Sequence, residues 1–292
     1  NGGKVFVDSG SLYQSGNIYA NGINGGLVQF NVGAATMAPG AKITALGFGG
    51  NGGKVAINST GVVDIQRAVI IDTSGKVAGT YDSNLINIEG GLINMEGVLR
   101  ADGVVYNEVS GKYVTGSQGG TIRLVANGKT SGCAECAIKV ASKGPGAIFE
   151  KDKPSVEPSY GSEESDIVYA EDLYEDLANL EAMDGNIRVG SDGQLEANGA
   201  EGAAMTLPDG TVTNRAGDGG SILLAAANDV VNDGVIQANG GNGVTGLSPV
   251  GGGNGGTIAV AAQNNILNAG SIVANGGPGG SNTGVGTDSL QG

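Results

Sequence analysis

The residues able to do chemistry in this chain are its carboxylates and two cysteines, because it contains no His and no Trp. Without His, nucleophilic catalysis through an imidazole base is excluded. Cys133 and Cys136 sit in Gly-Cys-Ala-Glu-Cys-Ala. Zinc needs about four ligands, and no further Cys or His completes a set. A redox pair would need a βαβ setting, which the pattern lacks. A local disulfide pinning a turn outside the cytoplasm is the leading reading, with free thiols or a bond between chains as the others. Among the carboxylates, Asp64 and Asp72 flank Arg67 in VVDIQRAVIID, and Glu89, Glu96 and Asp102 follow. A glycosidase needs two such groups about 5 to 9.5 Å apart with split pKa values. No aromatic platform for a sugar ring accompanies them; Tyr13, Tyr19, Tyr81, Tyr106 and Tyr113 are the aromatics to locate. Asp82, Asp102, Asp218 and Glu201 are candidates for isolated calcium sites, against solvated charge as the plainer reading. The tandem Gly-Gly-x-Gly-x-Asp of a calcium roll does not recur, and Gly240–Gly243 lacks the Lys-Ser/Thr ending of a phosphate loop. No resident cofactor is therefore expected.

What must position these groups is a repeat. The phrase Gly-x-Ile/Leu-x-Ala-Asn/Asp-Gly occurs at Gly16–Gly22, Gly97–Gly103, Gly193–Gly199, Gly234–Gly240 and Gly270–Gly276. A second phrase, Gly-Gly or Asp-Gly before alternating apolar residues, opens at Gly2, Gly25, Gly52, Gly119, Asp184, Gly219 and Gly255. From Thr257, the alternation predicts a strand with Ile258 and Val260 inward. A corner at Asn264–Asn265 follows, then a short strand at Ile266–Leu267, then a third with Ile272 and Ala274 inward. The same central position holds Ile18, Leu99, Leu195 and Ile236 in the other copies, so these residues predict one stacked apolar ladder. Corners of Asn and Gly are expected because both tolerate positive φ. Three strands of about five residues per repeat suggest a triangular coil. Eight coil starts are read, at Gly2, Gly25, Gly52, Ser83, Gly119, Asp184, Gly219 and Gly255, the fourth without its Gly pair. Stacked at about 4.8 Å with parallel pairing, they predict an all-β rod roughly 40 Å long.

Extra residues follow the third strand at Gly199–Asp218, Gly240–Asn254 and Gly276–Gly292, and should protrude along one corner. A different, acidic insertion spans 145–183. There Leu173, Leu177, Leu180 and Met183 recur at helical spacing, predicting a short amphipathic helix. It either covers an apolar patch of the rod or docks a partner. The chain is read as one domain, 1–292.

Composition narrows the function. The chain has 57 Gly, four Phe, a net charge of −14 and a pI near 4.3. Nucleic acid is an unsuitable partner without Lys/Arg clusters. No stretch approaches the roughly 18 apolar residues of a membrane span. The first residue is Asn1, which reads as a processed chain or a piece of a longer one. Gly292 placed before Asn1 gives QG-NGGKVFV, much like GFGGNGGKVAI at Gly47–Ile57, so coils of different copies could join as coils of one copy do.

The repeats GGSILLAAANDVVNDGVIQANG (Gly219–Gly240) and GGTIAVAAQNNILNAGSIVANG (Gly255–Gly276) resemble the filamentous-haemagglutinin type of bacterial exoprotein repeat. The resemblance covers most of the chain and is weakest over Ser83–Glu89 and Gly144–Met183. It implies a right-handed parallel β-helix, export to the cell surface and a structural or adhesive role rather than catalysis. The expected partners are other copies, in a fibre, and a surface polysaccharide or a host or neighbouring cell surface. The alternative is a carbohydrate-active enzyme or polysaccharide-binding module on the same scaffold.

Overall fold

The computed structural model describes residues 1–75, 84–103, 105–107, 112–114, 118–128, 185–202, 205–206, 212–213, 216–243 and 251–281. These residues are all-β. Three parallel sheets of seven strands each are built by a chain that visits them in rotation. The first sheet stacks Lys4–Ser9, Leu27–Val32, Lys54–Ser59, Leu85–Gly90, Thr121–Ala126, Ser221–Ala226 and Thr257–Ala262. The second stacks Leu12–Gln14, Ala35–Met37, Val62–Ile65, Leu92–Met95, Ile187–Val189, Val230–Asn232 and Ile266–Asn268. The third stacks Asn17–Tyr19, Lys42–Thr44, Ile70–Asp72, Val98–Arg100, Gln194–Glu196, Val235–Gln237 and Ser271–Val273. This is the strand stacking of a parallel β-helix or solenoid. First-sheet strands have six residues, the others three or four, rather than about five throughout.

One coil start needs correction. The Asp184 phrase does not open a strand of the first sheet. Its Ile187–Val189 pairs with Leu92–Met95 in the second sheet, so Gly119 and Asp184 belong to the same turn of the chain. The long insertion therefore falls, in chain order, between a first-sheet and a second-sheet strand. The other large insertions leave after third-sheet strands, as expected. Two of them carry antiparallel pairs, Val105–Asn107 with Lys112–Val114 and Met205–Thr206 with Val212–Thr213. Cys133, Cys136, the segment 145–183 with Leu173, Leu177, Leu180 and Met183, and Tyr81 and Asp82 lie outside the described residues. Among the described residues no helix is long and apolar enough to cross a membrane.

The inward ladders follow the sequence alternation. In the third sheet Ile18, Ile43, Ile71, Leu99, Leu195, Ile236 and Ile272 lie in register. In the first, Ile86, Ile122, Ile222 and Ile258 stack, as do Ile88, Leu124, Leu224 and Val260. Interior members are sealed: Leu99, Leu195, Ile236, Ile222 and Leu224 are 0% exposed. Ile18, Ile258 and Val260 stand in the end strands and are only partly buried against the same core. Ile272, also in an end strand, is 40% exposed. Each interior aliphatic side chain therefore lies between two others, a dispersion contact repeated at every strand spacing.

The outward face of the first sheet is not solvent-facing as alternation alone predicts. Leu27, Leu85, Val125 and Leu223 are buried there. So is Glu89, whose Oε1 accepts from the Arg123 guanidinium at 2.7 Å and from Asn87 at 3.1 Å.

The Gly-Gly pairs are required by close approach between turns of the chain. A Cβ on Gly220 would stand 2.0 Å from the Gly120 carbonyl oxygen, and one on Gly219 would stand 2.2 Å from that of Ala238. The degenerate fourth start solves this differently. Asn84 occupies the second glycine's place with φ 54° and no exposure. Its side chain accepts from Gly52 N at 2.6 Å and donates to the carbonyls of Gly75 at 2.8 Å and Asp102 at 3.2 Å. One side chain thus stitches three strands' worth of corner backbone.

Candidate functional site: carboxylates around Arg100

The third sheet's last outward position reads Tyr19, Thr44, Asp72, Arg100, Glu196, Gln237 and Val273 in register. Arg100 thus lies between two carboxylates supplied by the strands on either side. Its Nε donates to Glu196 Oε2 at 2.7 Å, and Asp102 Oδ2 is 3.5 Å from the same nitrogen. Asp72 Oδ2 lies 4.0 Å from the guanidinium. Gln237 Nε2 donates to the other Glu196 oxygen at 3.0 Å. Asp72 Oδ1 accepts from Ser74 N at 2.9 Å and from the Ser74 hydroxyl.

Burial raises the Asp72 carboxyl above its ordinary value, against hydrogen bonds from Ser74 and the charge of Arg100. Burial raises Asp102 further, to about 7. The Asn198 amide and Arg100 oppose that rise, and the Glu196 and Asp72 charges reinforce it. Asp102 is therefore the carboxyl of this cluster pushed toward neutral pH. Each carboxylate already has protein partners, so its oxygens serve the stack.

Asp102 also belongs to a second ladder, which sequence reasoning missed. Its Oδ1 accepts from the backbone amide of Asn198 at 2.7 Å. Asn198 Oδ1 accepts from Asn239 N at 2.9 Å, and Asn239 Oδ1 from Asn275 N at 2.9 Å. Leu46 N donates to Asn21 Oδ1 at 2.8 Å in the same way. The Asn of the Ala-Asn-Gly phrase is therefore selected for its side-chain oxygen. Positive φ is not the reason, since among described non-glycine residues only Ala68 and Asn84 have it. Asp102 is the ionisable member of an otherwise neutral corner.

A pH prediction follows. The folded pKa of Asp102 lies above the unfolded value, so the folded state binds the extra proton. Its contribution is fully present below about pH 4 and is lost as pH rises through about 7. Asp102→Asn keeps the acceptor for Asn198 and removes the titration. Urea unfolding should find it near wild type at about pH 4, and more stable by about 1–3 kcal/mol at about pH 8. A variant less stable than wild type at both pH values contradicts this account.

The other sequence candidates are scattered. Asp64 and Asp72 lie in different sheets and Arg67 does not join them. Arg67 instead pairs with Asp192 at 2.8 Å and lies 3.9 Å from Glu96. Asp64 accepts from Gln66 at 2.9 Å, and Asp218 accepts from Asn254 N at 2.7 Å. Glu201 is exposed. Among the described residues no group of three or more His, Cys, Asp or Glu is placed to hold a metal ion. Tyr13 and Tyr19 are 70% and 58% exposed but stand in different sheets. Tyr106 and Tyr113 are register partners in an antiparallel pair. In comparisons with known proteins, no family model, no curated protein and no solved structure matches the chain.

Proposed function

We propose that this chain is an extracellular, cell-surface structural or adhesive rod, a right-handed parallel β-helix that joins end to end into a fibre or serves as one stretch of a longer exoprotein. The observation that carries this reading is the state of its two end strands in each sheet. At one end Ile266, Leu267 and Ile272 are 50%, 57% and 40% exposed. At the other, Val5, Val7, Leu12 and Ile18 are only partly buried against the core. Continuing the register sets Ile258 on Val5, Val260 on Val7, Ile266 on Leu12 and Ile272 on Ile18. It also brings Asn275 Oδ1 to the corner amide of Asn21, as inside the stack. Open parallel edges with matching side chains favour strand addition. The repeat's resemblance to exported haemagglutinin-type proteins and its net charge of −14 favour a secreted surface setting.

The site around Arg100 favours a structural reading over a catalytic one, because its carboxylates are held by Arg100, Gln237, Ser74 and Asn198. A sugar-binding surface would be better favoured had Tyr13 and Tyr19 shared one sheet.

The test is a charge at the open end. Ile272→Asp should leave the circular dichroism and unfolding midpoint almost unchanged, since the side chain is 40% exposed. It should abolish concentration-dependent association in sedimentation velocity, because the carboxylate would be buried unpaired in the joint. Association as strong as wild type would sink the end-to-end reading.

A further inference from the structure

The chain is rich in Asn-Gly, the dipeptide most prone to spontaneous deamidation. In that reaction the glycine nitrogen attacks the asparagine Cγ, and the Cγ–Nδ2 bond breaks. Ammonia leaves with the displaced amide proton, and water opens the resulting succinimide to aspartate or isoaspartate. Two things stop it: a hydrogen-bonded glycine amide, and a backbone that cannot rotate to bring that nitrogen onto Cγ.

The stack supplies both at its interior pairs. The amide of Gly22 donates to Leu46 O at 3.0 Å, that of Gly199 to Asn239 O at 2.8 Å and that of Gly240 to Asn275 O at 2.8 Å. Along the neighbouring corner Gly2 donates to Asn24 O at 2.7 Å and Gly25 to Asn51 O at 2.8 Å. In each case the acceptor belongs to the following turn of the chain. Among the described residues two Asn-Gly pairs break the pattern, Asn254–Gly255 and Asn275–Gly276, whose glycine amides donate no hydrogen bond. Both pairs border strands that are the last of their sheets among the described residues, and both asparagines are exposed.

We propose that Asn275 and Asn254 are sites of spontaneous deamidation, open while the end they border is uncovered and closed when a further coil lies on it. Conversion has a consequence for the edge. Isoaspartate adds a methylene to the backbone at the corner, and at Asn275 either product puts a carboxylate where a neutral acceptor continues the asparagine ladder. An uncovered end therefore ages out of joining competence. The first half of this proposal concerns the isolated rod alone; the second half rests on the end-to-end reading above.

The experiment incubates dilute, folded protein in a mildly alkaline buffer and maps peptides by mass spectrometry, with an isoaspartate-specific methyltransferase as a second readout. Asn275 and Asn254 should convert at least about tenfold faster than Asn198 and Asn239, which must first open locally. In urea all of them should convert at similar rates. Equal rates in the folded protein, or no conversion at Asn275 and Asn254 when the unfolded chain converts, overturns the site assignment. In material held assembled by concentration, Asn275 and Asn254 should fall to the interior rate. Conversion there at the isolated-rod rate overturns the gating while leaving the site assignment standing. Dilute behaviour is read with or without assembly, so a failure of the fibre reading is seen separately, by sedimentation.

Discussion

Ile222→Asp is expected to unfold the stack or bring it to the edge of unfolding. Ile222 is 0% exposed and lies in register between Ile122 and Ile258. Among the described residues, an aspartate there would lie within a cluster of buried hydrophobic side chains. An uncompensated buried charge costs about 3–5 kcal/mol, and the lost isoleucine packing adds about 2–5. Total stabilities of domains are only about 5–15 kcal/mol. In a stack each turn is held by its neighbours, so the damage spreads to Ile122 and Ile258. Ile222→Val, which keeps shape and apolarity, should cost only about 0.5–1.5 kcal/mol. Urea unfolding of both variants tests this directly. An aspartate variant with wild-type stability would mean that Ile222 points outward and the register is wrong.

Asn84→Ala is expected to be nearly as damaging, through the backbone rather than the core. Alanine at φ 54° carries the left-handed cost of about 1–2 kcal/mol. Two buried polar groups, Gly52 N and the Gly75 carbonyl, lose the partner that Asn84 supplies, while the Asp102 carbonyl keeps the Gly75 amide at 3.1 Å. Each orphaned buried group costs about 1–3 kcal/mol. A loss of about 3–6 kcal/mol follows from these terms. Asn84→Gly separates them: it relieves the φ cost and should recover about 1–2 kcal/mol, leaving the hydrogen-bond deficit. If alanine costs less than about 0.5 kcal/mol, the side chain does not stitch the corner.

These two positions also mark how far the sequence could be read. The Ile222 ladder was legible because one side of a strand repeats every second residue and the same phrase recurs along the chain. Asn84 was visible only as a gap, the missing Gly pair before Leu85, and nothing local reveals what its amide does across the corner. The Asp184 phrase misled because a short second-sheet strand alternates as a first-sheet strand does. The cue against it was distance: Asp184 stands too close to the Gly193 phrase for two strands to fit. The Arg100 cluster was half legible. Superposing GVLRADG at Gly97 on GQLEANG at Gly193 puts Arg100 beside Glu196, whereas the sequence pairing of Asp64 with Asp72 across Arg67 ignored the corner between sheets. The asparagine ladder was hidden for another reason. Asn in a turn ordinarily signals backbone freedom, and here its carbonyl oxygen replaces a missing partner for the next turn's amide.

Under the proposed function, the end strands of each sheet join copies in register. Electron microscopy of the purified protein at rising concentration tests it most directly. Seven strands per sheet among the described residues would give each chain an axial repeat of about 34 Å. Unbranched filaments with that repeat, lost in Ile272→Asp, are the predicted result. Isolated short rods at every concentration would contradict the claim.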